Sequence, residues 1–226
     1  MKLLTWNVGL VGDIFRKFMC VFDKREISIQ KICRRINIEN PDLIALQEVY
    51  NQNFNLINDE IKDKYNYSIH EPELGLCFFS KNKINKEYKI IFPRDMISNC
   101  VRSKNGLLII RQPNTHNFFC NVHLSCGLGC QYEHTYLDVV RKVHKNNNLV
   151  LMGDFNAFRT TNYNNIARKL DFIVNNNNDY CSYNHPIFKC NFDYIIQFKK
   201  YQIGQEIDST CIYDNSSDHY PITCTI

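Results

Sequence analysis

Short apolar runs recur along this chain, and nearly every one ends in a residue suited to metal or phosphate chemistry. Leu3-Leu4-Thr5-Trp6 leads into Asn7, and Leu43-Ile44-Ala45-Leu46 leads through Gln47 into Glu48. Phe119-Cys120-Asn121-Val122 leads into His123. Leu149-Val150-Leu151-Met152 leads through Gly153 into Asp154, followed by Phe155 and Asn156. Phe192 is followed by Asp193, and Ser217-Asp218-His219 precedes Tyr220-Pro221-Ile222. A charged group beside a buried strand is costly unless it is paired or bound to a cation. The repetition of this arrangement therefore predicts strands that converge on one shared polar site.

The strand signals are short and rich in β-branched and aromatic residues. They fall at Lys2–Val8, Leu43–Gln47, Gly75–Phe79, Gly106–Arg111, Phe118–His123, Asn148–Asp154, Phe192–Gln197 and Tyr220–Ile226. Helical periodicity is expected over Ile27–Ile38, where Ile29, Ile32, Cys33 and Ile36 make one face and Pro41 follows. Phe54–Lys64 and Tyr132–Lys145 also read as helices, the latter with Leu137, Val140 and Val143 as its stripe. Strands and helices mix without strict alternation. This points to a layered α/β domain with stacked mixed sheets, not a doubly wound parallel sheet. No repeat and no Pro/Gly/Ser linker divides the chain, so residues 1–226 are read as one domain. The Asn runs at 146–148 and 175–178 read as surface loops.

A net charge of +4 is compatible with a polyanionic partner without requiring one. The cysteines number 11, an odd count, and Cys126 and Cys130 lack the second pair that a zinc site would need. Cys77, Cys120 and Cys224 sit in apolar segments and read as small core residues. Reduced thiols in a cytosol-like compartment are the expectation. No segment has the length of a membrane span, and the N-terminus turns polar too early for a secretory signal.

Carboxylates with amide and imidazole groups, and without a thiolate cluster, suit a hard cation such as Mg²⁺ or Mn²⁺. Taken singly, each residue has a structural reading. Asn7 could be a strand-end turn residue, Glu48 a carboxylate at a helix N-terminus, and His123 a satisfied core histidine. Asp154-Phe155-Asn156 could be an Asx turn, and Asp193 a strand cap. Asp218-His219, with Pro221 close behind, resists such a reading. The order and context of the whole set favour a catalytic one.

That set resembles the endonuclease/exonuclease/phosphatase superfamily. The matching pieces are T-W-N-V at 5–8, L-Q-E-V at 46–49, N-V-H-L at 121–124, G-D-F-N at 153–156, F-D-Y-I at 192–195 and S-D-H-Y-P at 217–221. They occur in the family's order over nearly the whole chain. The resemblance implies a four-layer α/β sandwich with two stacked mixed β-sheets and helices outside. It implies Glu48 as the main metal ligand, with Asn7 and Asp218 supporting the metal directly or through water. Asp154 would orient and deprotonate the attacking water, and Asn156 would hold that water or a phosphate oxygen. His219 would stabilise charge on a phosphate oxygen, with Asp193 fixing its tautomer. His123 would be a second phosphate-facing imidazole, with Glu73 as a candidate carboxylate partner. The cofactor would be Mg²⁺ or Mn²⁺.

The implied reaction is hydrolysis of a phosphodiester, and a nuclease acting on DNA or RNA as a monomer is the first expectation. L-Q-E-V-Y and N-V-H-L differ from the L-Q-E-T-K and Y-x-P-N elements of abasic-site endonucleases, which argues against that branch. Backbone-contact candidates are Arg102, Lys104, Arg111, Arg141, Lys142 and Arg159, although scattered basic residues commonly form only a solvated surface. A lipid phosphodiesterase of sphingomyelinase type is the alternative. Gly75-Leu76-Cys77-Phe78-Phe79-Ser80-Lys81 resembles a strand of such enzymes, and the loop 12–22 interleaves Ile14, Phe15, Phe18, Met19, Val21 and Phe22 with Arg16 and Lys17. That loop also reads as a short helix packed on the sheet. A non-catalytic binding module is a third reading. It would require loss of metal or water-activating residues, and all are present.

Overall fold

The computed structural model describes residues 1–9, 25–92, 105–124, 140, 145, 147–156, 172–173, 182–184, 189–199, 204–207, 209–213, 216–217 and 219–226. Among the described residues, helix α1 spans Arg25–Glu39 and helix α2 spans Asn51–Ile61. The strands are β1 (Lys2–Asn7), β2 (Leu43–Gln47), β3 (Tyr67–Glu71), β4 (Leu76–Ser80), β5 (Asn85–Ile91), β6 (Gly106–Arg111), β7 (Asn117–His123) and β8 (Asn148–Asp154). They continue with β9 (Phe172–Ile173), β10 (Tyr183–Asn184), β11 (Lys189–Cys190), β12 (Asp193–Phe198), β13 (Gly204–Glu206), β14 (Thr210–Cys211) and β15 (Ile222–Thr225).

These strands form a six-stranded sheet in the order β14-β15-β1-β2-β4-β3 and a seven-stranded sheet in the order β5-β6-β7-β8-β12-β13-β9. A small β10–β11 pair stands apart. Both large sheets are mixed: β1–β2 and β7–β8 run parallel within otherwise largely antiparallel ladders. This is the four-layer α/β sandwich implied by the sequence.

The two-residue period of a strand divides its side chains between two layers. Leu3, Leu43, Ala45 and Phe78 of the first sheet meet Leu108, Ile110, Phe119, Val150, Met152 and Ile195 of the second, forming the core between the sheets. Their neighbours Leu4, Trp6, Ile44, Leu46, Cys77 and Phe79 face outward under the helices. There they meet the predicted α1 stripe of Ile29, Ile32, Cys33 and Ile36, with Ile57 and Ile61 of α2. On the other side, Leu107, Ile109, Val122, Leu149, Leu151 and Tyr194 pack with Val140, the described helical residue of the predicted 132–145 helix. Central strands are thus buried on both faces, which explains their continuous apolar runs. Each fully buried large side chain contributes roughly 1.5–3 kcal/mol.

α1 ends where expected. Asn40 adopts φ +48° and its N–H reaches Ile36 O at 2.9 Å, a left-handed cap before Pro41. β3 and β5 were not predicted. Both are edge strands with mostly exposed or half-exposed side chains, so neither has an apolar face to reveal it. They are joined across the sandwich, because Lys86 and Lys89 of β5 both pair with the buried Glu71 of β3. Burial alone would raise the Glu71 carboxyl, but the two ammonium groups hold it below its ordinary value. No helix among the described residues is long and apolar enough to cross a membrane.

Cys33, Cys77, Cys120 and Cys224 are buried free thiols, and Cys211 is half-buried. Burial pushes Cys33 and Cys224 up to about 12, and Cys77 and Cys120 higher still. Native-state alkylation followed by peptide mapping should therefore label Cys211 and leave those four unmodified until denaturant is added. Rapid native labelling of Cys77 or Cys120 would contradict this packing.

Candidate active site

Strand register builds one wall of the site. β7 pairs with β8 so that His123 lies opposite Asp154, and β8 pairs with β12 so that Asp154 lies opposite Asp193. Three chemically competent residues thus share one rung at the end of the second sheet. Each continues the inward-facing series of its strand, after Asn121, Met152 and Ile195. The facing wall comes from the parallel β1–β2 pair, which ends with Asn7 opposite Gln47. Glu48 follows in a left-handed conformation, φ +59°.

The two walls meet through one amide. Asn7 Nδ2 donates to Glu48 Oε1 at 3.1 Å and to Asp154 Oδ2 at 3.0 Å, while Asn7 Oδ1 accepts from Gly9 N at 3.1 Å. His123 Nε2 stands 3.9 Å from both Glu48 Oε1 and Asp154 Oδ2. His219 Nε2 lies 3.8 Å from the same Asp154 oxygen. The other Asp154 oxygen, Oδ1, accepts the Asn156 N–H at 2.8 Å. Asn156 itself has φ +47°, and its Nδ2 donates to Leu124 O at 2.7 Å. Left-handed non-glycine residues are uncommon, and two predicted site residues, Glu48 and Asn156, adopt this conformation.

His219 Nδ1 bonds Asp193 Oδ2 at 2.8 Å. With Nδ1 carrying the hydrogen towards a carboxylate, Nε2 is the atom presented to the site. Complete burial pushes the Asp193 carboxyl up, and neighbouring Asp154 adds to this, while His219 and the Ser182 hydroxyl oppose it. Asp154, Asp193 and His219 bring their ligand atoms within 4.8 Å of one another. A cation held by that trio would compete with the Nδ1–Asp193 bond. Glu48, whose side chain is 19% exposed, is the more accessible carboxylate, and Asn7 ties it to Asp154.

Several supporting residues escaped the sequence reading. Beneath the site lies a buried polar layer: Gln47 Nε2 donates to Thr5 Oγ1 at 3.1 Å and to Asn121 Oδ1 at 2.7 Å. Asn121 Nδ2 donates to Leu46 O and Cys77 O at 2.9 and 3.0 Å, stitching the two sheets together. Trp6 Nε1 holds His219 O at 2.8 Å, and Ser217 Oγ donates to Asn7 O at 2.8 Å. Ser182 Oγ accepts from the N–H groups of Phe192 and Asp193. An amide inside an apolar strand two residues before His123 was the signal available for Asn121. Ser182 carried none.

Asn7, Glu48, His123, Asp154, Asn156, Asp193 and His219 are all brought together. Asp218 lies outside the described residues, as do the loop 12–22, Arg102, Lys104, Arg141, Lys142 and Arg159. Arg111 is engaged with Glu87 at 2.9 Å on the β5–β6 edge. Glu73 is not the partner of His123. It lies 3.8 Å from Lys89 with its side chain half exposed, and His123 Nδ1 is buried with no hydrogen-bond partner among the described residues. On the neighbouring β6 the residue opposite His123 is Gly106, which offers no carboxylate.

A two-sheet sandwich carrying this carboxylate, amide and imidazole cluster at one end is a phosphoesterase scaffold. The chain belongs to the endonuclease/exonuclease/phosphatase family, whose sequence model matches residues 4–219. No curated protein matches it in sequence. Among solved structures it resembles a beta toxin mutant from Staphylococcus aureus with bound magnesium ions, at 18% identity and a TM-score of 0.71 over 98% of each chain. It also resembles sphingomyelinase C from Streptomyces griseocarneus, at 15% identity and a TM-score of 0.68 over 99% of this chain and 98% of that one. Truncated TDP2 from Caenorhabditis elegans is similar at 14% identity and a TM-score of 0.68, over 98% of this chain and 95% of that one.

Gly153 makes the β7–β8 contact possible. Its φ is +142°, and a Cβ there would lie 2.1 Å from Val122 O. Gly153→Ala should destabilise the protein by on the order of 2 kcal/mol or more, through strain and overpacking next to Asp154. Urea unfolding monitored by Trp6 fluorescence measures this, and an unchanged midpoint would exclude the tight contact.

Proposed function

We propose that this protein is a divalent-metal-dependent phosphodiesterase whose first substrate class is a nucleic-acid strand. The observation that carries the reading is the Asn7 bridge, which holds Glu48 and Asp154 beside the two imidazoles of His123 and His219. The donor set fits a hard cation: oxygen groups dominate, and the nearby buried thiols face apolar layers. Glu48 would hold the metal, with Asn7 and Asp218 supporting it. When bound, Mg²⁺ or Mn²⁺ supplies Lewis-acid stabilisation of charge on a phosphate oxygen.

The chain's own groups account for the rest. Asp154 is fixed through both oxygens, by Asn156 N–H and by Asn7 Nδ2, so its carboxylate stays aimed at the position of an attacking water and takes its proton. Asn156 steadies that water or a phosphate oxygen. His219, locked through Nδ1 by Asp193, presents Nε2–H to a non-bridging oxygen as negative charge builds. His123 presents Nε2 from the neighbouring strand as a second phosphate contact.

A lipid phosphodiesterase is the second reading, favoured by the likeness to sphingomyelinase C over almost the full length of both chains. A panel with Mg²⁺ and with chelator separates the two. It contains plasmid DNA, single-stranded DNA and RNA, 5′-tyrosyl DNA and sphingomyelin vesicles. Strand cleavage that chelator abolishes is the expected result. No Mg²⁺-dependent turnover of any member would leave the fold as a binding module.

Asp154→Ala should lower kcat by on the order of 10²-fold or more, and Asp193→Asn by on the order of 10²-fold by loosening His219. Both variants should keep wild-type circular dichroism. Near-normal turnover by folded Asp154→Ala would remove the assigned base.

A further inference from the structure

The turn that delivers Glu48 is pinned on both sides. Before it, Gln47 O accepts from the Val8 N–H at 3.2 Å, just past the β1–β2 ladder. After it, the Val49 N–H donates to Gly75 O at 2.9 Å. The Val49 carbonyl then accepts from His70 Nε2, also at 2.9 Å. A carbonyl oxygen can only accept, so the ring hydrogen sits on Nε2. Burial holds the His70 imidazole below its ordinary value, which makes it a neutral donor.

His70 is itself firmly mounted. It lies on β3 opposite Cys77 of β4. Its ring stacks on Phe54 of α2, with centroids 4.2 Å apart and planes 7° from parallel. Phe54 stacks in turn on Phe79 of β4 at 5.4 Å. One pile of rings from three elements therefore aims Nε2 at the chain just beyond Glu48. Val49 is fully buried, so its carbonyl would be left unpaired without that donor. Glu48 holds φ +59°, a conformation that a non-glycine residue keeps only where its surroundings determine it. Rotation of the peptides around Val49 would relieve an unpaired carbonyl, and it would also release Glu48 from that conformation.

Building on the reading of Glu48 as a metal ligand, we propose that His70 is a positioning residue for that carboxylate. It acts through the Val49 carbonyl, which keeps the left-handed turn in place and the Glu48 side chain against Asn7. The edge strand β3 thereby contributes to the candidate site through one side chain, although none of its residues lies in the cluster of carboxylates and imidazoles. A group that orients a ligand in this way tunes the affinity for the ion without touching it.

The test compares wild type, His70→Phe and Tyr65→Phe. His70→Phe keeps a ring against Phe54 and removes the donor. Tyr65→Phe is the matched control, because it removes a like bond, from Tyr65 Oη to Pro41 O at 3.1 Å, in the same outer layer but away from Glu48. Two quantities are read on the full chain: Mn²⁺ affinity by calorimetric titration, and the Asn7 side-chain amide resonances by NMR before any metal is added. His70→Phe should weaken Mn²⁺ binding by about 2- to 12-fold, the range spanned by the loss of one hydrogen bond, and should shift the Asn7 resonances. Tyr65→Phe should match the wild type in both. Unmoved Asn7 resonances in His70→Phe would overturn the proposal, as would unchanged Mn²⁺ affinity where the wild type binds the ion, or an equal loss in Tyr65→Phe. A wild type that takes up no Mn²⁺ would instead sink the metal reading, and the Asn7 resonances would then decide the positioning role by themselves.

Discussion

The register of three adjacent strands is the constraint on which the site depends. His123, Asp154 and Asp193 stand on one rung because β7–β8 and β8–β12 are locked in one alignment. That alignment is set far from the chemistry, by Leu108, Phe119, Val150, Met152 and Ile195 filling the space between the sheets. A slip of one residue would turn every one of these side chains to the wrong face and would carry Asp154 away from Asn7. Core packing is therefore also what positions the carboxylates and imidazoles of the candidate site. The polar layer of Thr5, Gln47 and Asn121 marks the transition between dry core and reactive end.

Charge at that end is managed by sharing. Glu48 and Asp154 would repel each other across the gap, and one amide donor serves both. His219 and Asp193 form a second unit, in which burial raises the carboxyl and the imidazole opposes the rise. Backbone strain is concentrated in the same place: Glu48 and Asn156 are left-handed, and Gly153 takes a conformation closed to other residues. Such positions persist only when surrounding packing determines them, and here the determining contacts are the two sheets.

Much of this was legible in the chain. β2, β6 and β8 were predicted at their observed ends, and the α1 stripe was read residue for residue, because buried strands and amphipathic helices write their burial into the residue pattern. β3 and β5 were missed because an edge strand is defined by its partner, not by its own side chains. The residues of the candidate site were legible because each interrupts or ends an apolar run. The assignment of Glu73 to His123 failed because closeness in sequence to a neighbouring strand says nothing about direction, and Glu73 turns to Lys89 at the sandwich edge.

The sequence by itself determined the family, the α/β class and the polar residues that end its apolar runs, since these depend on residue type and order along single strands. Tertiary structure decided which groups touch. It made Asn7 a bridge between two carboxylates, tied Asp193 to His219 across 26 residues, and set Ser182 behind both. These relations depend on strand order and register, which arise from the packing of two sheets against each other and are carried by no single segment of the chain.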